Sequence, residues 1–129
     1  MTLVSIIMPA LDEAPFIEGA IDAIPLDEFR GSGYNTEVLV IDNGSIDGTG
    51  ELAANAGARV VLEPRRGYGF AYQRGFKEAK GDILCTLDAD QTYPADLLPF
   101  MVNKLVEEEL DFINTNRLAY LTNGAMSRR

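Results

Sequence analysis

The sequence contains no histidine and a single cysteine, Cys85. Without imidazole there is no Ser-His-Asp triad, no imidazole base and no histidine-ligated metal site. One cysteine excludes an intrachain disulfide and a CxxC pair, which suits a reducing compartment such as the cytoplasm. No apolar run reaches the roughly 18 residues of a membrane span. The apolar start, residues 3–11, lacks a basic flank and is interrupted by Pro9, so it does not read as a signal peptide. Positive charge is also scarce: 11 basic residues against 20 acidic ones give a net charge of −9. That balance counts against a nucleic-acid groove, which needs a basic footprint, and against anionic lipid as a direct partner of this surface.

What is present suits one α/β domain. The 129 residues are 47% hydrophobic and 24% charged, enough to bury a core without covalent or metal staples. Residues 3–8 are a β-branched apolar run stopped by Pro9 and read as a buried strand. Asp12 and Glu13, with Pro15, open a helix to about Ile24, Asp12 serving as its cap. Residues 26–36, containing Gly31-Ser32-Gly33, read as a loop. Further strands are expected at 37–42, 59–62, 82–88 and 111–114. Helices are expected before Gly57, over 70–80 and from Pro94 to about Glu109. Ile7, Leu84 and Cys85 are candidate core residues, and Tyr68 and Tyr72 read as packing residues. The strands are near-continuously apolar rather than alternating. The pattern therefore predicts a doubly wound, mainly parallel sheet with helices on both faces.

In such a sheet, ligands bind beyond the carboxyl ends of the strands. Asp88-Ala89-Asp90 follows the fourth strand. Two neighbouring carboxylates raise each other's proton affinity unless a cation neutralises them. They suit Mg2+ or Mn2+ held together with substrate phosphates; the plain alternative is a solvated pair ahead of a helix. After the second strand, Asp42 can accept hydrogen bonds from a base or ribose, and Ser45 or Asp47 can cap the next helix. Arg66-Gly67-Tyr68-Gly69 imitates the start of a dinucleotide fingerprint, but Tyr72 stands where the third glycine belongs. Arg65, Arg66 and Arg117 can meet phosphate oxygens, the plain alternative being surface arginines.

Four strings in order resemble family-2 glycosyltransferases of the GT-A fold, and within them the polyprenyl-phosphate (dolichol-phosphate) sugar transferases. They are residues 4–13 (VSIIMPALDE), residues 40–49 (VIDNGSIDGT), Gly67-Tyr68-Gly69-Phe70-Ala71 with Gly75, and residues 87–94 (LDADQTYP). The resemblance implies a Rossmann-like nucleotide-sugar-binding domain over residues 1–117, with 118–129 starting an acceptor segment. It implies that Pro9, Leu11 and Glu13 line the nucleotide pocket and that Ile41, Asp42 and Asn43 face base and ribose. Asp88, Ala89 and Asp90 would form the DxD motif, with Asp90 the main metal ligand and Asp88 nearer ribose or metal. Arg117 would lie near the diphosphate or the acceptor phosphate. The implied reaction is metal-dependent, inverting transfer from GDP-mannose or a UDP-sugar to polyprenyl or dolichyl phosphate, at the cytoplasmic face of a membrane. An acceptor phosphate already ionised needs no strong base, which agrees with a chain lacking histidine.

The sequence departs from the family pattern in places. Leu11 stands for a tyrosine, Asp12 for an asparagine and Asn43 for a second aspartate, and Thr92 stands where some relatives place a metal-binding glutamine. Few residues follow Arg117, so the expectation is a fragment or reduced form. Two other readings stay open: a non-catalytic nucleotide-sugar-binding part completed by another segment or chain, and a haloacid-dehalogenase-type phosphatase in which Asp88 of Asp88-Ala89-Asp90-Gln91-Thr92 is phosphorylated. A homo-oligomer is equally open.

Overall fold

The computed structural model describes residues 2–90 and 95–110. The chain divides into two compact units, Met1–Asp96 and Leu97–Arg129. The boundary expected at residue 117, the strand expected at 111–114, and Arg117 and Thr92 themselves lie outside the described residues.

The first unit is built on β1 (Thr2–Ala10), β2 (Tyr34–Asp42), β3 (Arg59–Leu62) and β4 (Ile83–Thr86). They form a four-stranded parallel sheet in the order β3-β2-β1-β4. The connecting helices are α1 (Ile17–Asp22), α2 (Leu26–Gly31), α3 (Thr49–Asn55) and α4 (Tyr68–Glu78). β1 is central, and Val4, Ile6, Ile7 and Met8 along it are fully buried. This is the doubly wound, Rossmann-like α/β arrangement that the uninterrupted apolar strands imply.

Alternation along the strands distributes the helices. Ile7, Leu39 and Ile41 pack with Ala71 of α4, and Val61, Tyr72 and Ala79 close the same cluster. α4 approaches so closely that a Cβ on Gly75 would stand 2.5 Å from Ile7 Cγ2. The opposite face carries α3, where a Cβ on Gly50 would stand 2.9 Å from Asp42 Oδ2 and 3.6 Å from Val60 Cγ1. Leu39 and Ile41 point one way and Asp42 the other, as the period of two requires.

The second unit contributes α5 (Leu98–Glu107), which is preceded by a 3-10 turn at Ala95–Leu97. Leu98, Met101 and Val102 are buried at helical spacing along it. Among the described residues no helix is long and apolar enough to cross a membrane.

Several local expectations are corrected. β1 does not stop before Pro9 but runs through it, with Pro9 opposite Ile41. Ile7 directs its carbonyl to the β4 side, where Leu87 N donates to it at 3.0 Å. Pro9, two residues on, directs its missing donor to that same side, past the last β4 bridge at Thr86. No ladder bond is lost. Residues 26–36 are not a loop: Pro25 precedes the six-residue α2, whose Phe29 is buried edge-on to Tyr34 at 6.4 Å between ring centroids. α1 begins at Ile17 rather than beside Asp12, after a turn in which Phe16 N and Ile17 N both donate to Glu13 O at 2.9 Å. Leu84 is 44% exposed and so is not core. Cys85 is half-buried, and burial pushes its thiol up to about 12.

Candidate functional site

The strand order places a topological switch at β1. β2 and β3 are added on one side of it and β4 on the other, and in open α/β sheets ligands bind at such a switch, beyond the carboxyl ends of the strands, here those of β1 and β4. The segments that follow these strands form the site.

The loop after β1 and the turn after β2 interlock. Asp12, at φ 52°, adopts a left-handed conformation that aspartate tolerates better than most residues. Its N–H donates to Ser45 Oγ at 2.9 Å while its Oδ1 accepts from Ile46 N at 2.9 Å. Glu13 N donates to Thr49 Oγ1 at 2.9 Å, and Ala14 N to Asp47 Oδ2 at 3.1 Å. Asp47 Oδ1 accepts in turn from Thr49 N at 3.1 Å and from the Thr49 hydroxyl. These bonds lower the proton affinity of Asp47, the Thr49 hydroxyl contributing most. Asp12, Ser45 and Asp47, expected as helix caps, thus join Thr49 in tying two loops together. Neither α1 nor α3 has a side-chain cap bond.

This interlock fixes the backbone of Glu13, whose carboxylate belongs to an acidic group. Burial raises its proton affinity, and the charges of Asp90, Asp47 and Asp88 raise it further. Asp88 is raised by burial and then by Asp90. The Tyr68 phenol at the start of α4 is likewise raised, by burial and then by Glu13, Asp88 and Asp90. Carboxylates from the ends of β1 and β4 therefore share one electrostatic environment. Such a cluster is stabilised by a cation. Its hard oxygen donors, with no histidine in the chain, suit Mg2+ or Mn2+ rather than zinc or copper. Among the described residues no three acidic, cysteine or histidine side chains stand close enough to hold a metal by themselves. Ligand phosphates and water would complete the shell, the usual arrangement for Mg2+.

Asp42 accepts from Ser45 N at 2.8 Å through Oδ1, while Oδ2 lies against Gly50 of α3. Asn43 is 1% exposed. Its Nδ2 donates to the Glu63 and Arg65 carbonyls, each at 2.8 Å, and its Oδ1 accepts from Gly67 N at 2.9 Å. The expectation that its side chain faces a base is corrected, because both its amide nitrogen and its amide oxygen are engaged inside the chain. The Ile41 side chain is likewise core, packed toward α4. Pro9 and Ala89 are buried, and Leu11 and Asp88 are half-buried.

Two residues missed at the sequence level stand out. Glu63 is 0% exposed. Its Oε2 accepts from Arg65 N at 2.7 Å and Arg65 Nε at 3.0 Å, and its Oε1 from Arg74 Nε at 3.2 Å. The Arg65 side chain and backbone hold its carboxyl down at about 2. Tyr68, read as a packing residue, is 56% exposed beside the acidic group; Tyr72 does pack against the core. Arg65 is held by Glu63 and stacks on Phe70 at 4.5 Å. The Arg66 guanidinium lies over Gly44, its Nε 3.4 Å from where a Cβ would stand.

Comparison with known proteins converges with this geometry. Residues 5–128 match the profile described as Glycosyl transferase family 2. An uncharacterized glycosyltransferase of Mycobacterium tuberculosis (strain ATCC 25618 / H37Rv) is 39% identical over 102 residues, 79% of this chain and 43% of that protein. Protein RfbJ of Shigella flexneri is 32% identical over 110 residues, 85% of this chain and 81% of that protein. Among solved structures, glucosyl-3-phosphoglycerate synthase from Mycobacterium tuberculosis, in complex with Mn2+, uridine-diphosphate-glucose and phosphoglyceric acid, superposes with a TM-score of 0.71 at 32% identity. That match covers 84% of this chain and 40% of that one. The chain thus spans less than half the length of the mycobacterial relative and of the synthase. The phosphatase reading is set aside, since residues 5–128 match a transferase family.

Proposed function

The chain belongs to glycosyl transferase family 2, and from that premise we propose that it acts as a metal-dependent inverting glycosyltransferase. The donor is a nucleoside-diphosphate sugar, GDP-mannose or a UDP-sugar. The acceptor is polyprenyl or dolichyl phosphate, met at the cytoplasmic face of a membrane. The observation that carries this reading is that Glu13, after β1, and Asp88 and Asp90, after β4, feel one another's charge beyond the carboxyl ends of two adjacent strands. The synthase bound to Mn2+ and uridine-diphosphate-glucose supports the donor class and the metal.

In this reading Asp90 is the main ligand of Mg2+ or Mn2+, and Asp88 is the second ligand or a ribose contact. The ion, when bound, offsets the charge that builds on a departing diphosphate. Pro9, Leu11 and Glu13 wall the nucleotide pocket, Asp42 orients base or ribose, and Ala89 is the middle residue of the DxD motif. Arg117 pairs with a phosphate of donor or acceptor. An acceptor phosphate oxygen attacks the anomeric carbon while the bond from that carbon to the diphosphate oxygen breaks, and the nucleoside diphosphate leaves. The nucleophile is an anion at neutral pH, so no base is required of a chain without histidine.

Calorimetry with GDP and UDP, with and without Mn2+, tests donor binding. Metal-dependent binding of one nucleotide, lost in Asp90→Ala, is expected; failure of both to bind overturns the reading. Transfer assays offering dolichyl phosphate or 3-phosphoglycerate then decide the acceptor, and sugar found only on phosphoglycerate overturns the lipid assignment. A donor-binding part completed elsewhere is the second reading, favoured by the 43% span of the mycobacterial relative. Sustained transfer by the isolated chain eliminates it.

A further inference from the structure

The connection between β3 and α4, residues 63–67, has an internal scaffold that no part of the reaction above uses. Asn43 sits one residue past β2 and is buried. It reaches 20 and 24 residues along the chain to hold both ends of this connection, through Glu63 O, Arg65 O and Gly67 N. Glu63 is equally buried and ties the same connection from below, accepting from the Arg65 backbone and side chain and from Arg74 of α4. Its own N–H donates to Asp42 O at 2.9 Å. These bonds determine where α4 begins, and its first residue is Tyr68, the exposed phenol beside Glu13, Asp88 and Asp90. They also place Arg66 over Gly44, in the turn that follows Asp42. Among the described residues Arg66 has no carboxylate partner, although Arg30, Arg59, Arg65 and Arg74 each have at least one.

We propose that Asn43 and Glu63 are positioning residues for the donor: they clamp residues 63–67 so that Arg66 and Tyr68 border the nucleotide-sugar site. This rests on the donor-binding reading above. The clamp also accounts for an amide rather than a carboxylate at position 43. Two carbonyl oxygens need an N–H donor each, and aspartate would set a negative charge against both.

The test is calorimetry of Mn2+ with GDP and UDP on the unaltered chain, on Asn43→Asp and on Phe29→Leu. The last variant loosens the core at α2 near the start of β2, away from the carboxyl edge. Asn43→Asp is expected to lose about tenfold or more in nucleotide affinity, since small displacements of contact groups are costly. Phe29→Leu is expected to keep affinity even where its melting temperature falls as far. Equal affinity loss in both variants, or none in Asn43→Asp, overturns the clamp and leaves the donor reading standing. No binding by the unaltered chain overturns both. Should Asn43→Asp not fold, hydrogen exchange in the unaltered chain decides. Saturating nucleotide and Mn2+ are expected to slow exchange over residues 63–70, and an unchanged rate there overturns the clamp.

Discussion

Asp88 holds a proton more readily than an isolated carboxylate does, because burial and the neighbouring charge of Asp90 penalise its ionisation. Asp90→Asn relieves that repulsion. It is expected to abolish metal-dependent nucleotide binding in calorimetry while leaving the melting temperature unchanged or higher. A parallel fall in melting temperature would show Asp90 to be structural. Glu63 behaves in the opposite sense. Its carboxyl titrates at about 2 in the folded chain against an ordinary 4.5, so the unfolded chain takes up the proton first. Its stabilisation is complete above the unfolded value and is lost as pH falls from 4.5 toward 2. Denaturant titrations across that window are expected to show a shallower acid dependence in Glu63→Gln than in the unaltered chain; equal slopes would contradict this. Glu13 and Asp88, whose proton affinity is raised, contribute the reverse slope. At this scale the sequence exposed the aspartate pair, since adjacent carboxylates at a strand end are a local pattern. It hid Asn43 and Glu63, whose partners lie up to 24 residues away, and it suggested a base contact for an amide that is buried.

Elements were more legible than residues, because apolar strands and glycine stops are written locally. The helix α2 was missed: six residues are too few to display a period, and Gly31-Ser32-Gly33 imitates a loop. Pro9 misled for a related reason. Whether proline ends a strand depends on which neighbour its nitrogen faces, and that is a property of the sheet. The packing of α4 on β1 is the most exacting contact between elements. Gly75→Ala would set a methyl 2.5 Å from Ile7 Cγ2, and it is expected to cost about 1–3 kcal/mol in denaturant unfolding. Ile7→Ala should cost about 2–5 kcal/mol. The two substitutions together should cost less than their sum, because removing Cγ2 makes room for the new methyl. Strict additivity would show that α4 does not lie where described. Leu84→Ala, at an exposed position of β4, should cost less than about 2 kcal/mol, below the buried-leucine range.

At the scale of the molecule, a net charge of −9 and an acidic site make ligand binding a source of stability. Nucleotide with Mn2+ at about a hundred times its dissociation constant should add about 2.7 kcal/mol. A melting temperature that rises in the unaltered chain but stays fixed in Asp90→Asn would show this by calorimetric scanning. The architecture was legible as a whole because alternating strand and helix signals admit few topologies, and right-handed crossovers leave fewer still. Those same crossovers set a schedule for the growing polypeptide. β1 is made before its second neighbour, β4, whose first paired residue, Ile83, lies 79 residues beyond its partner Val4. During synthesis the strip Ile6-Ile7-Met8 emerges long before residues 83–86 exist to flank it, and an unpaired central strand is a template for pairing with other chains. A ribosome paused before residue 83 would therefore hold a nascent chain with an adhesive open border, and that interval is where a holdase chaperone has its purchase.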